Sequence, residues 1–219
     1  MQVFRETLFL LKKELLLEWR QRYAIGGILL YVLSTVFIVF ISTGSIRPPV
    51  WNILFWIIVL FASVNAVVKS FVQENSNRQL YYYQLAHPLS VILAKMLYNV
   101  GLLLLLATLT YLTMTVVYES PVKRLPLFWT ILVLGSLGFS ITFTFVSAIA
   151  SKADNSSTLM AILTFPIILP ILGTLMKLSA NALNLVFDTA YVDDVYRLMG
   201  INVILLGLVI ILFPFLWKD

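Results

Sequence analysis

The 219-residue chain is 61% hydrophobic and 11% charged, with a formal net charge of +5 and no cysteine. A soluble domain of this size carries about twice that charged fraction, so the apolar excess requires lipid and not merely a core. Missing thiols exclude disulfides, zinc–thiolate sites and cysteine nucleophiles, and the modest positive charge suits loop bias at a membrane better than nucleic-acid binding.

Residues 1–22 carry Arg5, Lys12, Lys13, Arg20 and Arg22 with Glu6, Glu14 and Glu18, too much charge for a cleavable signal. Phe4, Leu8, Leu11, Leu15 and Trp19 repeat at helical spacing, while Val3, Leu10 and Leu17 fall outside that stripe. The reading is an interfacial helix over 1–22, with basic residues toward lipid headgroups. The plainer alternative is an extension packed on the protein's own loops.

Six uncharged runs follow, at 23–46, 48–68, 96–118, 125–151, 155–176 and 198–217. Each reaches the roughly 20 residues that cross about 30 Å of hydrocarbon. The expected fold is all-α: one domain over 1–219 with six transmembrane helices. Trp51, Trp56, Tyr98, Trp129 and Trp217 lie near run ends, where aromatic rings favour the interface.

The longest polar interruption is 71–95. Such a stretch cannot lie in hydrocarbon, because its charges and amides would lack partners. Asn75 or Ser76 can cap a short helix there, Glu74 suits the positive end of its dipole, and His87-Pro88 ends it. A surface helix over 71–90 is the shape with which a permease contacts a cytoplasmic ATPase.

Ten Lys and Arg residues fall on the side of 1–22, 69–95, Lys152 and Lys218, and five on the side of Arg47, Lys123, Arg124, Lys177 and Arg197. The positive-inside rule puts the first side, both termini and 71–90 in the cytoplasm. The uncharged runs hold no charge pair, which argues against a proton- or sodium-coupled carrier.

No catalytic constellation is present: the chain lacks GxxxxGK[ST], His-Glu-x-x-His and Gly-x-Ser-x-Gly. Asp188, Asp193 and Asp194 read as helix-capping carboxylates rather than a metal site. Pro166 and Pro170, four apart in the fifth run, should bend or break its helix, as a hinge beside a substrate path or as a tolerated kink. Gly135 and Gly138 in the fourth run permit close helix packing.

The chain resembles the CcmB family of cytochrome c maturation permeases, the B component of a heme exporter, over nearly its whole length. That family's surface loop runs Phe-x-x-Asp-x-x-x-Gly-x-Leu-x-x-Leu, then a proline turn and Leu-Ala-Lys. Phe71, Leu80, Pro88 and Leu93-Ala94-Lys95 match it, while Glu74, Arg78 and Tyr83 depart from it. Leu134-Gly135, Leu137-Gly138-Phe139 and the Pro166, Pro170 pair also resemble the family.

The resemblance implies a non-enzymatic ABC-type permease, acting as a homodimer in the bacterial inner membrane. Its implied partners are the ATPase A subunit, which binds ATP, membrane subunits C and D, and the heme chaperone E. The implied ATPase contact is Phe71, Glu74, Arg78, Leu80 and Tyr83. Heme is then cargo: it passes through the permease, or ATP hydrolysis releases the loaded chaperone. A tight heme site needs an axial ligand, yet the only histidine, His87, sits beside Pro88, and Met114, Met160 and Met176 read as gap fillers. Two other readings share these features: a generic ABC exporter permease for a lipid, drug or polysaccharide, and a non-transporting membrane scaffold.

Overall fold

The structure, a computed structural model, describes the backbone of residues 2–20, 22–72, 87–151, 156–186 and 190–218. These residues form seven helices: α1 (Gln2–Arg20), α2 (Arg22–Thr43), α3 (Pro48–Val72), α4 (Pro88–Tyr118), α5 (Leu125–Ala150), α6 (Ser156–Ala182) and α7 (Tyr191–Lys218). The all-α expectation stands.

Five stretches are long and apolar enough to cross a membrane: Pro48–Val67, Pro88–Tyr118, Leu125–Ala150, Thr158–Ala182 and Tyr191–Leu216. The sixth, Leu29–Thr43 of α2, is a shorter apolar helix. α2 stops where Gly44 adopts a left-handed φ of 65° and its N–H bonds Phe40 O at 2.8 Å. Glycine takes that conformation without Cβ strain, and the bond closes the last turn. α6 ends similarly on Asn184, φ 56°, with the Leu185 N–H on Ala180 O at 2.9 Å.

α5 is the hub. Its apolar window is 78% buried, against 22–61% in the other four spans. α3, α4, α6 and α7 all pack on it. Small residues explain this: Gly135, Ser136, Gly138, Ser140, Ala148 and Ala150 let neighbours approach from several sides. Phe128, Phe139 and Phe143 fill the remaining volume.

The aromatic belt expectation fails for two residues. Trp51 and Trp56 are each 1% exposed. Trp51 stacks on Phe55 at 5.3 Å, and Phe55 meets Phe128 at 5.5 Å. Trp56 Nε1 donates to Ser179 Oγ at 2.8 Å. A partner inside the bundle satisfies its N–H, so this ring need not seek the interface. Trp129 is 40% exposed, as a belt residue would be.

Helices also outrun the uncharged runs. α4 starts at Pro88 rather than Met96, so Ser90, Val91, Ile92, Ala94 and Lys95 are buried helix, not surface loop. Proline at the first helical position loses no bond and presets φ. His87 caps the helix, its Nδ1 accepting from Leu89 N–H at 3.3 Å. α6 and α7 likewise extend through Lys177 and through Asp193, Asp194 and Arg197. Charge pairs therefore do lie within the helices, near their ends, correcting the charge-free reading of the spans.

Candidate functional site

The helices define two ends of the bundle. The near end carries α1, the close of α3 at Val72 and the start of α4 at Pro88. At the far end, the backbone N–H groups of Lys123 and Arg124 tie the α4–α5 connection to the close of α6, bonding Ala182 O at 3.1 and 2.9 Å.

At the near end, α1 lies against the first turns of α4. Its contact face is Val3, Glu6, Thr7, Leu10, Glu14 and Leu17, all buried or half-buried. These include the apolar residues that stood outside the sequence stripe. Three residues of the stripe face outward, Phe4, Leu8 and Leu15 at 71%, 49% and 55% exposed, while Leu11 is half-buried. The imperfect amphipathicity thus reflects two apolar faces, one for protein and one for the surroundings. The first face packs on the protein, as in the plainer alternative, but against helix α4 and not against loops.

Two acids on the contact face bind α4. Glu6 Oε2 accepts from Ser90 Oγ at 2.9 Å and from the His87 backbone N–H at 3.3 Å. Ser90 Oγ also lies 3.4 Å from Val3 O. A carboxylate here meets unpaired N–H groups and the positive end of a 31-residue helix. Further along both helices, Glu14 Oε1 lies 3.1 Å from Lys13 Nζ of its own helix and 3.9 Å from Lys95 Nζ, whose side chain is 5% exposed. A buried ammonium is costly unless paired, and Glu14 gives Lys95 one carboxylate neighbour.

These positions frame the predicted ATPase contact. Phe71 lies in the last turn of α3, whereas Glu74, Arg78, Leu80 and Tyr83 fall outside the described residues. Only the roots of the segment are seen, at Val72 and His87. Sequence reasoning missed Glu6, Glu14, Ser90 and Lys95 as a group. The signal was present: Pro88 marks a helix start, and Glu6 and Glu14 share a face with Val3, Leu10 and Leu17.

Three polar locks hold the bundle's interior. Asn52 Nδ2 donates to Met176 O at 2.9 Å, and Asn52 Oδ1 lies 2.6 Å from Ser179 Oγ, tying α3 to α6. Asn99 Nδ2 donates to Thr144 Oγ1 at 2.8 Å, and Ser140 Oγ to Met96 O at 2.8 Å, tying α4 to α5. Asn202 Nδ2 donates to Leu134 O at 3.0 Å, tying α7 to α5. The glycines sit at two contacts of α5: a Cβ on Gly135 would lie 3.0 Å from Leu175 Cδ2, and one on Gly138 only 2.6 Å from Asn202 Oδ1.

Pro166 and Pro170 occupy the exposed face of α6, which runs unbroken through both. That corrects the expected break, and it turns both rings away from the packed centre. Thr174 Oγ1 bonds Pro170 O at 2.9 Å and covers one of the carbonyls in that stretch. Pro170 removes the N–H that would have bonded Pro166 O.

The acidic trio also separates. Asp188 lies outside the described residues, Asp193 is exposed in the first turn of α7, and Asp194 is buried. Asp194 pairs with Lys177 Nζ at 2.6 Å and Arg197 Nη1 at 3.2 Å. It is an ion-paired lock between α6 and α7, not a solvated cap. Arg124 Nη1 donates to Asn181 Oδ1 at 3.2 Å nearby. His87 is exposed at its cap position, while Met114 and Met160 are 1% and 2% exposed. Between α2 and α4, an apolar groove of about 570 Å³ opens outward, lined by Leu33, Phe37, Leu112 and Val116 among others.

Long apolar helices around a polar-locked hub, with charge pairs confined to their ends, define a polytopic all-α membrane protein. The chain belongs to the CcmB family: the family model described as CcmB protein matches residues 5–215. It is therefore a membrane component of the heme exporter that serves cytochrome c maturation, and one part of that exporter's complex. No curated protein and no solved structure matches the chain.

Proposed function

We propose that this component is the permease of an ABC-type complex and that residues 71–83 seat a separate ATPase. The ATPase is the A subunit, which binds ATP. Membrane subunits C and D and the heme chaperone E complete the assembly, in which this chain is a homodimer in the inner membrane. Both termini face the cytoplasm. The chain itself carries no catalytic site.

The carrying observation is where the polar stretch is rooted. It joins α3 to α4 at the end where α1 also packs, and both helices run directly into the hub. A push on this stretch therefore acts on two spanning helices together. Arg78 would meet an acidic groove on the ATPase, with Phe71 and Leu80 as apolar anchors and Glu74 and Tyr83 beside them.

The packed centre favours release of the heme-loaded chaperone over passage of heme through the middle of one chain. Trp51, Phe55, Trp56, Phe128 and Phe139 fill that centre, each 0–1% exposed. Tight heme ligation then belongs to a partner: the chain's single histidine, His87, stands exposed at the start of α4, and Met114 and Met160 are buried in the packed centre.

The test is co-purification in mild detergent. Arg78→Glu and Leu80→Asp should each reduce the ATPase recovered with this chain, by about tenfold or more where the contact is desolvated and less at a rim. Unchanged ATPase recovery and cytochrome yield in both variants would remove 71–83 from the contact.

A further inference from the structure

The junction of α1 with α4 has a chemistry that anchoring to a membrane does not require. An interfacial helix needs apolar residues inward and cations outward. α1 also places Glu6 and Glu14 on its protein face: Glu6 bonds α4 directly, and Glu14 sits between Lys13 of α1 and Lys95 of α4. Glu6 meets the first residues of α4, Ser90 and the His87 N–H, immediately after the stretch 73–86. Glu14 meets Lys95, further along the same helix. The two contacts are spaced along α4, so they resist sliding and tilting of α1 against it.

We propose that α1 is a positioning element of the coupling device, and that Glu6 and Glu14 keep it clamped to the root of α4 throughout the ATP cycle. The inference rests on the ATPase reading above and deepens it. A helix loaded at one end bends at its first turn, where terminal N–H groups lack intrahelical partners. α4 is 31 residues long, more than the roughly 20 needed to span, so its first turns extend beyond what a span requires. Glu6 takes the His87 N–H and the Ser90 hydroxyl, and α1 braces these turns from the side. Movement of 73–86 is then delivered to the hub as a shift of all of α4, with α1 carried along. Glu6 and Glu14 touch neither heme nor ATP, so both are positioning residues.

The test uses the complete complex in isolated membranes and reads heme-loaded chaperone released per ATP hydrolysed, alongside ATPase content. Glu6→Ala should lower that ratio about tenfold, the scale of one lost hydrogen bond to a charged group, with ATPase content unchanged. Glu6→Gln, whose amide oxygen still accepts, should keep most of it. The chain has no cysteine, so Val3→Cys with Ser90→Cys gives a single defined cross-link. Oxidation should form it, restore the ratio in the Glu6→Ala background, and lose that effect on reduction.

Full coupling in Glu6→Ala overturns the clamp. So does failure of the two introduced thiols to cross-link. A cross-link that halts release in an otherwise unaltered chain shows that α1 must leave α4, the opposite mechanism. Absence of ATPase from the unaltered complex sinks the coupling reading itself, whereas normal ATPase with an unmoved ratio sinks only the role of α1.

Discussion

Single atoms decide how closely the spans of this protein approach. Gly138 is the sharpest case, because an alanine Cβ would sit 2.6 Å from Asn202 Oδ1. Asn202 would have to leave Leu134 O, breaking the lock between α7 and α5. Gly138→Ala should destabilise the protein by about 1–3 kcal/mol. Gly101→Ala should be neutral or slightly stabilising, since nothing lies within 4 Å of its added Cβ and alanine is the better helix former. Thermal unfolding in detergent compares the two, and equal shifts would show that the close approach does not matter. A second residue-level expectation concerns His87. Its ring caps α4, so heme added to the purified chain should give no stoichiometric band; one that disappears in His87→Ala would make the near end a heme-loading station.

At the scale of elements, what the sequence shows and what it hides follow from who supplies each partner. Close packing on α5 was legible at Gly135 and Gly138, and the apolar runs located the five helices of spanning length and the shorter apolar stretch of α2. Their ends were not legible. Lys95 reads as loop because a charge in a span is costly, yet Glu14 of α1, 81 positions away, offsets part of that cost. Lys177 and Asp194 hide helix ends in the same manner, each neutralising the other. Trp56 looks interfacial until Ser179 supplies its acceptor.

The sixth helix, α6, carries its own prediction. Pro166 and Pro170 weaken backbone pairing on its exposed face without interrupting the helix. If that weakness is a working hinge, replacing both by alanine stiffens α6, because alanine is the better helix former. Membrane insertion should hold while cytochrome maturation falls. Full maturation by the double variant reduces the prolines to passengers.

For the whole molecule, the near end gathers α1 and both roots of the 73–86 stretch, and the far end gathers the α4–α5 and α6–α7 connections. The proposed orientation, which rests on the ten-to-five distribution of Lys and Arg, puts the near end in the cytoplasm. Reporter fusions after Asp219 and within 183–190 check this. The C-terminal fusion should be active only as a cytoplasmic reporter and the loop fusion only as a periplasmic one; the reverse pattern inverts the molecule and removes 73–86 from the reach of any ATPase.

The central claim is that this family member works by receiving force from a separate ATPase at its near end. The most direct measurement is purification of the tagged chain in mild detergent from cells carrying its natural partners, followed by identification of what accompanies it and by assay of ATP hydrolysis. The account predicts an ATPase held through 71–83, lost in Leu80→Asp, together with the other membrane components of the heme exporter. A complete membrane complex that supports cytochrome maturation with no ATPase bound would contradict it, and would leave the protein a scaffold.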